Sequence, residues 1–198
     1  MACAWDIIAG FPWYNSITRQ TFIALPGLCL SFKEPKLCEK ILDSYLKYFN
    51  DGFFPDEVNS KELEYHSADS SLWFIWVIQQ YFKKKNQPDA IWNLYGEAIK
   101  RILNAYKNSN LDYIRLGNDG LIEADKKDVA LTWMNSYANG NPVIQRAGKA
   151  VEINALWFNA ICFALDLADM VGDTDFISEW KHMVKDVAQA FLKTFWSE

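Results

Sequence analysis

The residues best suited to chemistry lie in three short stretches of a 198-residue chain. Arg19 and Gln20 open an otherwise apolar segment, and Asp69 precedes "SSLWF". Trp133, Asn135, Arg146, Glu152 and Asn154 fall within "ALTWMNSYANGNPVIQRAGKAVEINALWFNA", residues 130–160. This mixture suits sugars. An indole offers a flat apolar face to the C–H side of a pyranose, while amides, carboxylates and arginine forks hold hydroxyls. Trp133 stands in a polar loop and is the best candidate for an exposed stacking face. Trp13, Trp73 and Trp157 are more simply core residues. Each polar residue also has a plainer reading. Asn135 would satisfy a turn. Glu152 would complement a helix dipole, and Asp69 would cap the helix that follows it. Arg19 and Arg146 would make salt bridges. His66 has no Ser and Asp partners patterned around it, so it carries no catalytic role and at most bonds a hydroxyl.

Bulk composition narrows the classes. Half of the residues are hydrophobic and the net charge is −5. The chain can therefore bury a core of one domain, and it lacks the basic face that nucleic acid requires. The chain has nine Trp, nine Tyr and thirteen Phe; core packing can use many of them, but nine Trp is a lot for this length, and as Trp is seldom fully buried some are expected to line a concave surface. Cys3, Cys29, Cys38 and Cys162 form no CxxC pair. With only two histidines no metal cluster is indicated, and no cofactor motif is present. The cysteines read as buried free thiols of a reducing compartment. No run of eighteen uninterrupted apolar residues and no leader pattern occurs. The expectation is a cytoplasmic protein with no membrane partner.

The elements that must position these residues are helical. Residues 16–32, interrupted at Pro26 and Gly27, read as a short or kinked helix with Ser16 or Thr18 as its cap. Residues 34–49 carry a one-sided stripe, with Pro35 in the first turn. Segment 50–56 is a turn, and 57–69 is polar and irregular. Residues 67–84 are apolar nearly all round, as an inner helix would be. Residues 87–108 place Ile91, Leu94, Ala98, Ile102 and Tyr106 on one face. Residues 111–124 contain Asn-Asp-Gly and suggest a short hairpin. A long loop fills 125–150, then a broad-faced helix (151–172) and an amphipathic one (173–196). Trp92, Trp180 and Trp196 on outer helices read as structural. Broad-faced helix followed by one-sided helix, three times over, is a faint repeat of helical hairpins. It predicts an all-α fold in which the hairpins form half of an (α/α)6 toroid, as a single partial domain over residues 1–198.

Six blocks in order resemble the amylo-α-1,6-glucosidase domain of glycogen debranching enzymes of the bacterial and archaeal type. They are "GFPWYNSITRQTFIALPGL", "DGFFPDE", "YHSADSSLWF", "DGLIEA", "LTWMNSY" and "GKAVEINALWFNA", and they span about residues 10–165. The resemblance implies an (α/α)6 barrel that hydrolyses α-1,6-linked glucose with inversion. One carboxyl group protonates the leaving oxygen and another activates water on the opposite face of the sugar. It also implies a sugar-facing set of Arg19, Gln20, Asp69, Trp73, Trp133, Asn135, Arg146, Glu152 and Asn154.

The departures from the family pattern bear on activity. Where the family reads Gly-Arg-Asp, this chain has Thr18-Arg19-Gln20. Where it reads Thr-Trp-Met-Asp, Asn135 replaces the Asp that the resemblance identifies as the general acid. An amide cannot supply an acidic proton. The second carboxylate of such barrels belongs to a later inner helix, beyond residue 198. Glu152 is the strongest carboxylate left. The expectation is a debranching-related domain with a degraded catalytic site, inactive as this chain alone. The alternatives are a non-catalytic module for α-glucan or oligosaccharide, or a structural half-barrel that self-associates. A homo-oligomer, or a C-terminal half beyond this chain, would cover the inner helices.

Overall fold

The computed structural model describes residues 5–197. Six helices follow one another as α1 (Thr18–Leu25), α2 (Pro35–Leu46), α3 (Ser70–Lys85), α4 (Pro88–Lys107), α5 (Val151–Val171) and α6 (Thr174–Phe195). Two short antiparallel ribbons lie between α4 and α5: β1 (Ile114–Leu116) with β2 (Ile122–Ala124), and β3 (Tyr137–Ala138) with β4 (Asn141–Pro142).

The packing is that of three successive hairpins. α1 packs on α3 and α3 on α5, so these three form the inner row. α2 lies against α3, α4 against α3 and α5, and α6 against α5. The mostly helical arrangement of paired hairpins is the partial six-hairpin (α/α) toroid that the repeat predicts. α3 and α5 bury residues all round because neighbours surround them, whereas the outer helices bury one stripe. On the helical hairpins, the exposed large apolar side chains Ile23, Leu28, Met170 and Leu192 belong to the first and last pairs, while most of the others lie before α1 and in the long loop. The middle hairpin exposes only Leu94 among its described residues. A partial ring behaves this way, since its end hairpins lack neighbours.

Local signals explain the boundaries. Pro35 and Pro88 start α2 and α4, where the missing N–H costs nothing. The first α-helix ends before Pro26 and passes into a π-helical turn over Pro26–Leu30. Asn86 and Gly172 end α3 and α5 in the left-handed conformation. Asp173 caps α6 by accepting the N–H of Phe176. Gly52, at φ 90°, lets its turn press against α4; a Cβ there would lie 2.2 Å from that of Ala105.

Several expectations need correcting. Thr18 does not cap α1; its hydroxyl donates to the carbonyl of Pro55. On α4, Ile91, Ala98, Ile102 and Tyr106 of the predicted face are buried, but Leu94 is half exposed and its neighbour Tyr95 is buried in its place. Cys29 and Cys38 are buried free thiols, Cys162 is only half-buried, and Cys3 lies outside the described residues. Trp13 and Trp196 are not core residues but stand in solvent, at 82% and 75% exposure. α5 is long and apolar enough to cross a membrane by length and composition, although no uninterrupted apolar run marks it. It packs against α3, α4 and α6, which accounts for that composition.

Candidate functional site

The starts of the inner helices α1 and α3 meet through charge. Arg19, in the first turn of α1, is 6% exposed, and Asp69, just before α3, is 2% exposed. The Arg19 Nε donates to both Asp69 oxygens at 2.8 and 3.0 Å, and its Nη2 donates to the Ser67 hydroxyl. Ser67 Oγ donates to Asp69 Oδ1 at 3.0 Å, and Trp73 Nε1 donates to Oδ2 at 3.2 Å. Asp69 therefore occupies the N-cap position without bonding a helix N–H. Its oxygens are consumed by compensating a buried guanidinium, which low dielectric makes the stronger demand.

Beside this pair opens a cleft of about 530 Å³, within the range that holds a small ligand. Ile17 and Arg19 line it from the start of α1, and Val129, Ala130, Asn135 and Tyr137 from the long loop. Asp56, Glu64, His66 and Ser70, between these two stretches in chain order, make up a middle wall. Backbone contacts fix this middle wall. The N–H of Thr18 bonds the carbonyl of Asp56 at 3.0 Å, and that of Asp56 bonds the carbonyl of Glu64 at 2.7 Å. Asp56 accepts the N–H groups of His66 at 3.2 Å and Ser67 at 2.8 Å. Burial pushes its carboxyl above the ordinary range, and those two bonds offset the effect only in part. The Ser70 hydroxyl is buried and has no hydrogen-bond partner among the described residues.

Glu152, in the first turn of α5, is gripped by Arg146 of the preceding loop. Nη1 donates to Oε1, and Nη2 donates to Oε2 at 3.0 Å. Burial alone would raise the Glu152 carboxyl, but the Arg146 fork, the helix N–H and the charge of Arg19 more than reverse it. Its pKa therefore falls below the ordinary value of 4.5, the opposite of what an acid catalyst needs. A carboxyl depressed in the folded state stabilises the fold above its unfolded pKa. That contribution disappears as pH falls through the folded value. Glu152→Gln is expected to cost about 0.5–1 kcal/mol at neutral pH, a modest figure because both partners are about a quarter exposed. Thermal melts should show the gap closing below about pH 4. An equal gap at pH 7 and pH 3 would mean that the fork does not favour the ionised form.

The family model for amylo-alpha-1,6-glucosidase matches residues 1–198, the whole chain. The chain belongs to the amylo-alpha-1,6-glucosidase family. No curated protein matches it significantly.

Within this family member, the residues singled out from the sequence divide into groups. Arg19 and Asn135 line the cleft. Asp69 and Trp73 stand behind Arg19 in the ion-pair network. Arg146 and Glu152 pair with each other, within reach of the Arg19 charge but outside the cleft wall. Trp133 is 55% exposed in the loop that carries Asn135, and Gln20 is exposed on α1; neither lines the cleft. Asn154 departs furthest from a sugar contact. It is fully buried, accepts the N–H of Ile122 at 2.6 Å, and donates to the carbonyls of Ile122 and Ala150 at 3.0 Å each. Its amide ties β2 to α5.

Asp56, Glu57, Glu62, Glu64 and Ser70 line the cleft but were not picked out by pattern. One signal was available: Glu64 and His66 are alternate residues of a non-helical segment, and that spacing turns both side chains to one side.

Proposed function

We propose that this chain binds α-1,6-branched glucan oligosaccharides in the cleft and does not hydrolyse them. The observation that carries the reading is the amide of Asn135 on the cleft wall of an amylo-alpha-1,6-glucosidase family member. By the resemblance to the family pattern the general acid is expected at this position, and an amide donates no acidic proton. The carboxylates nearby are poor substitutes. Asp56 and Glu64 offer oxygens within 4.8 Å of each other. Inverting hydrolysis needs its two carboxyl groups about 6.5–9.5 Å apart to admit water. Glu152 is held ionised by Arg146. What the cleft retains is recognition chemistry: acceptors in Asp56 and Glu64, the Asn135 amide, the Ser70 hydroxyl, and an exposed indole at Trp133 in the adjoining loop.

Titration with a branched maltooligosaccharide is expected to change tryptophan fluorescence saturably, with no glucose released. Trp133→Ala should weaken binding about tenfold, or 1.4 kcal/mol. Asn135→Asp supplies an acid without a base, so hydrolysis should stay at background. A competent acid beside an existing base would instead raise the rate about 10²–10⁴-fold. Glucose release above blank by the wild-type chain sinks the non-catalytic reading, and a flat fluorescence response sinks the binding one.

A further inference from the structure

The middle wall of the cleft brings together three side chains that no sequence pattern grouped. The potential ligand atoms of Asp56, Glu64 and His66 lie within 4.8 Å of one another. His66 Nδ1 is 3.6 Å from Asp56 Oδ2 and 3.8 Å from Glu64 Oε2. A tetrahedral ion with bonds of about 2.0–2.2 Å separates its ligands by about 3.3–3.6 Å. The 3.6 Å distance lies at the upper end of that edge and the 3.8 Å one exceeds it by a few tenths of an ångström, a gap that small side-chain rotations close.

A charged histidine between two carboxylates would show similar distances, so the surroundings must decide. Asp56 is held by the N–H groups of His66 and Ser67, the outer support that orients a ligating carboxylate. The charge of the cleft is also unbalanced. Asp56, Glu57, Glu62 and Glu64 line it, while its one guanidinium, Arg19, is already paired with buried Asp69. A concave surface of one sign concentrates cations. Finally, Ser70 lines the same cleft and is 1% exposed, and its hydroxyl has no partner among the described residues.

We propose that Asp56, Glu64 and His66 form a three-ligand site for a divalent cation of the Zn²⁺ class, with the remaining coordination position open to the cleft. One imidazole and two carboxylates favour Zn²⁺ over Mg²⁺ or Ca²⁺, which prefer six or more oxygen ligands. The open position holds a water or a ligand hydroxyl facing the cavity that Ser70 and Asn135 also line. This site does not depend on glucan binding, and its test contains no glucan.

The test uses the full chain, stripped with chelator, desalted, and titrated calorimetrically with Zn²⁺. One ion per chain is expected. His66→Ala and Glu64→Gln should each weaken it about tenfold or more, since losing a ligand costs at least what losing its support does. His182→Ala, on α6, should leave it unchanged. Co²⁺ should give a visible absorption band in the wild type that His66→Ala abolishes, and excess Mg²⁺ or Ca²⁺ should not compete. Glu64 is exposed, so Glu64→Gln remains informative if His66→Ala misfolds. The proposal is overturned by no stoichiometric uptake. It is equally overturned by Zn²⁺ affinity that Glu64→Gln leaves unchanged, which would mark the ion as adventitious.

Discussion

Asp69→Ala is expected to destabilise the chain by about 3–5 kcal/mol, the cost of leaving one member of a buried ion pair without its partner. Arg19 and Asp69 side chains are 7% and 3% exposed, so water cannot replace the missing carboxylate. The loss spreads beyond one bond, because Asp69 also accepts from Ser67 and Trp73. Native domains hold only about 5–15 kcal/mol in total, so this variant should unfold at a much lower urea concentration. The double variant Arg19→Met with Asp69→Leu should recover part of the loss, because apolar pairs of similar volume often replace buried ion pairs at little cost. Chemical denaturation of the three proteins decides the matter. A cost below about 1 kcal/mol for Asp69→Ala would match a solvent-screened pair and contradict the burial. The same network holds Arg19 on the cleft wall, so Asp69→Ala should also weaken glucan binding below its melting temperature.

How much of this was legible in advance depended on the range of each interaction. α3 and α5 could be read as inner helices because they are apolar on most faces, a property of the local sequence. The end of α1 followed from Pro26, and the hairpin of β1 and β2 from Asn118-Asp119-Gly120. Residues whose side chains answer to distant partners were harder to place. Asp69 reads as a cap, yet it serves a guanidinium fifty residues earlier in the chain. Asn154 reads as a polar group at a helix start facing a cleft, yet the backbone of Ile122 uses its amide. The wall of Asp56, Glu64 and His66 arises because the Asp56 N–H bonds Glu64, a turn chemistry with no distinctive composition. Trp13 looked like core on amino-acid type alone, but aromatic character does not fix burial in a tight turn with no partner element.

Trp157→Ala is expected to cost about 3–5 kcal/mol, the range for removing a large aromatic from a packed core. The indole is fully buried in the second turn of α5. It stacks on Tyr106 of α4 with centroids 5.8 Å apart and meets Trp180 of α6 edge-on at 6.0 Å. Its Nε1 donates to the carbonyl of Gly120 at 3.1 Å. One side chain thus joins the second and third hairpins and also holds the turn between β1 and β2. Trp157→Phe separates the two roles. It keeps an aromatic ring between α4 and α6 but frees the Gly120 carbonyl, which is only partly buried and can take water, so the lost bond should cost about 1 kcal/mol beyond the change in packing. Urea unfolding of both variants measures the difference, and similar losses for Ala and Phe would mean that the hydrogen bond rather than the ring stabilises the junction. β2 leads directly into the loop that bears Trp133 and Asn135, yet Asn154 independently anchors β2 to α5. Trp157→Phe should therefore retain glucan binding at temperatures where it is folded, whereas Asp69→Ala should not. That contrast distinguishes a residue supporting the cleft wall from one supporting the helices and the β1–β2 turn.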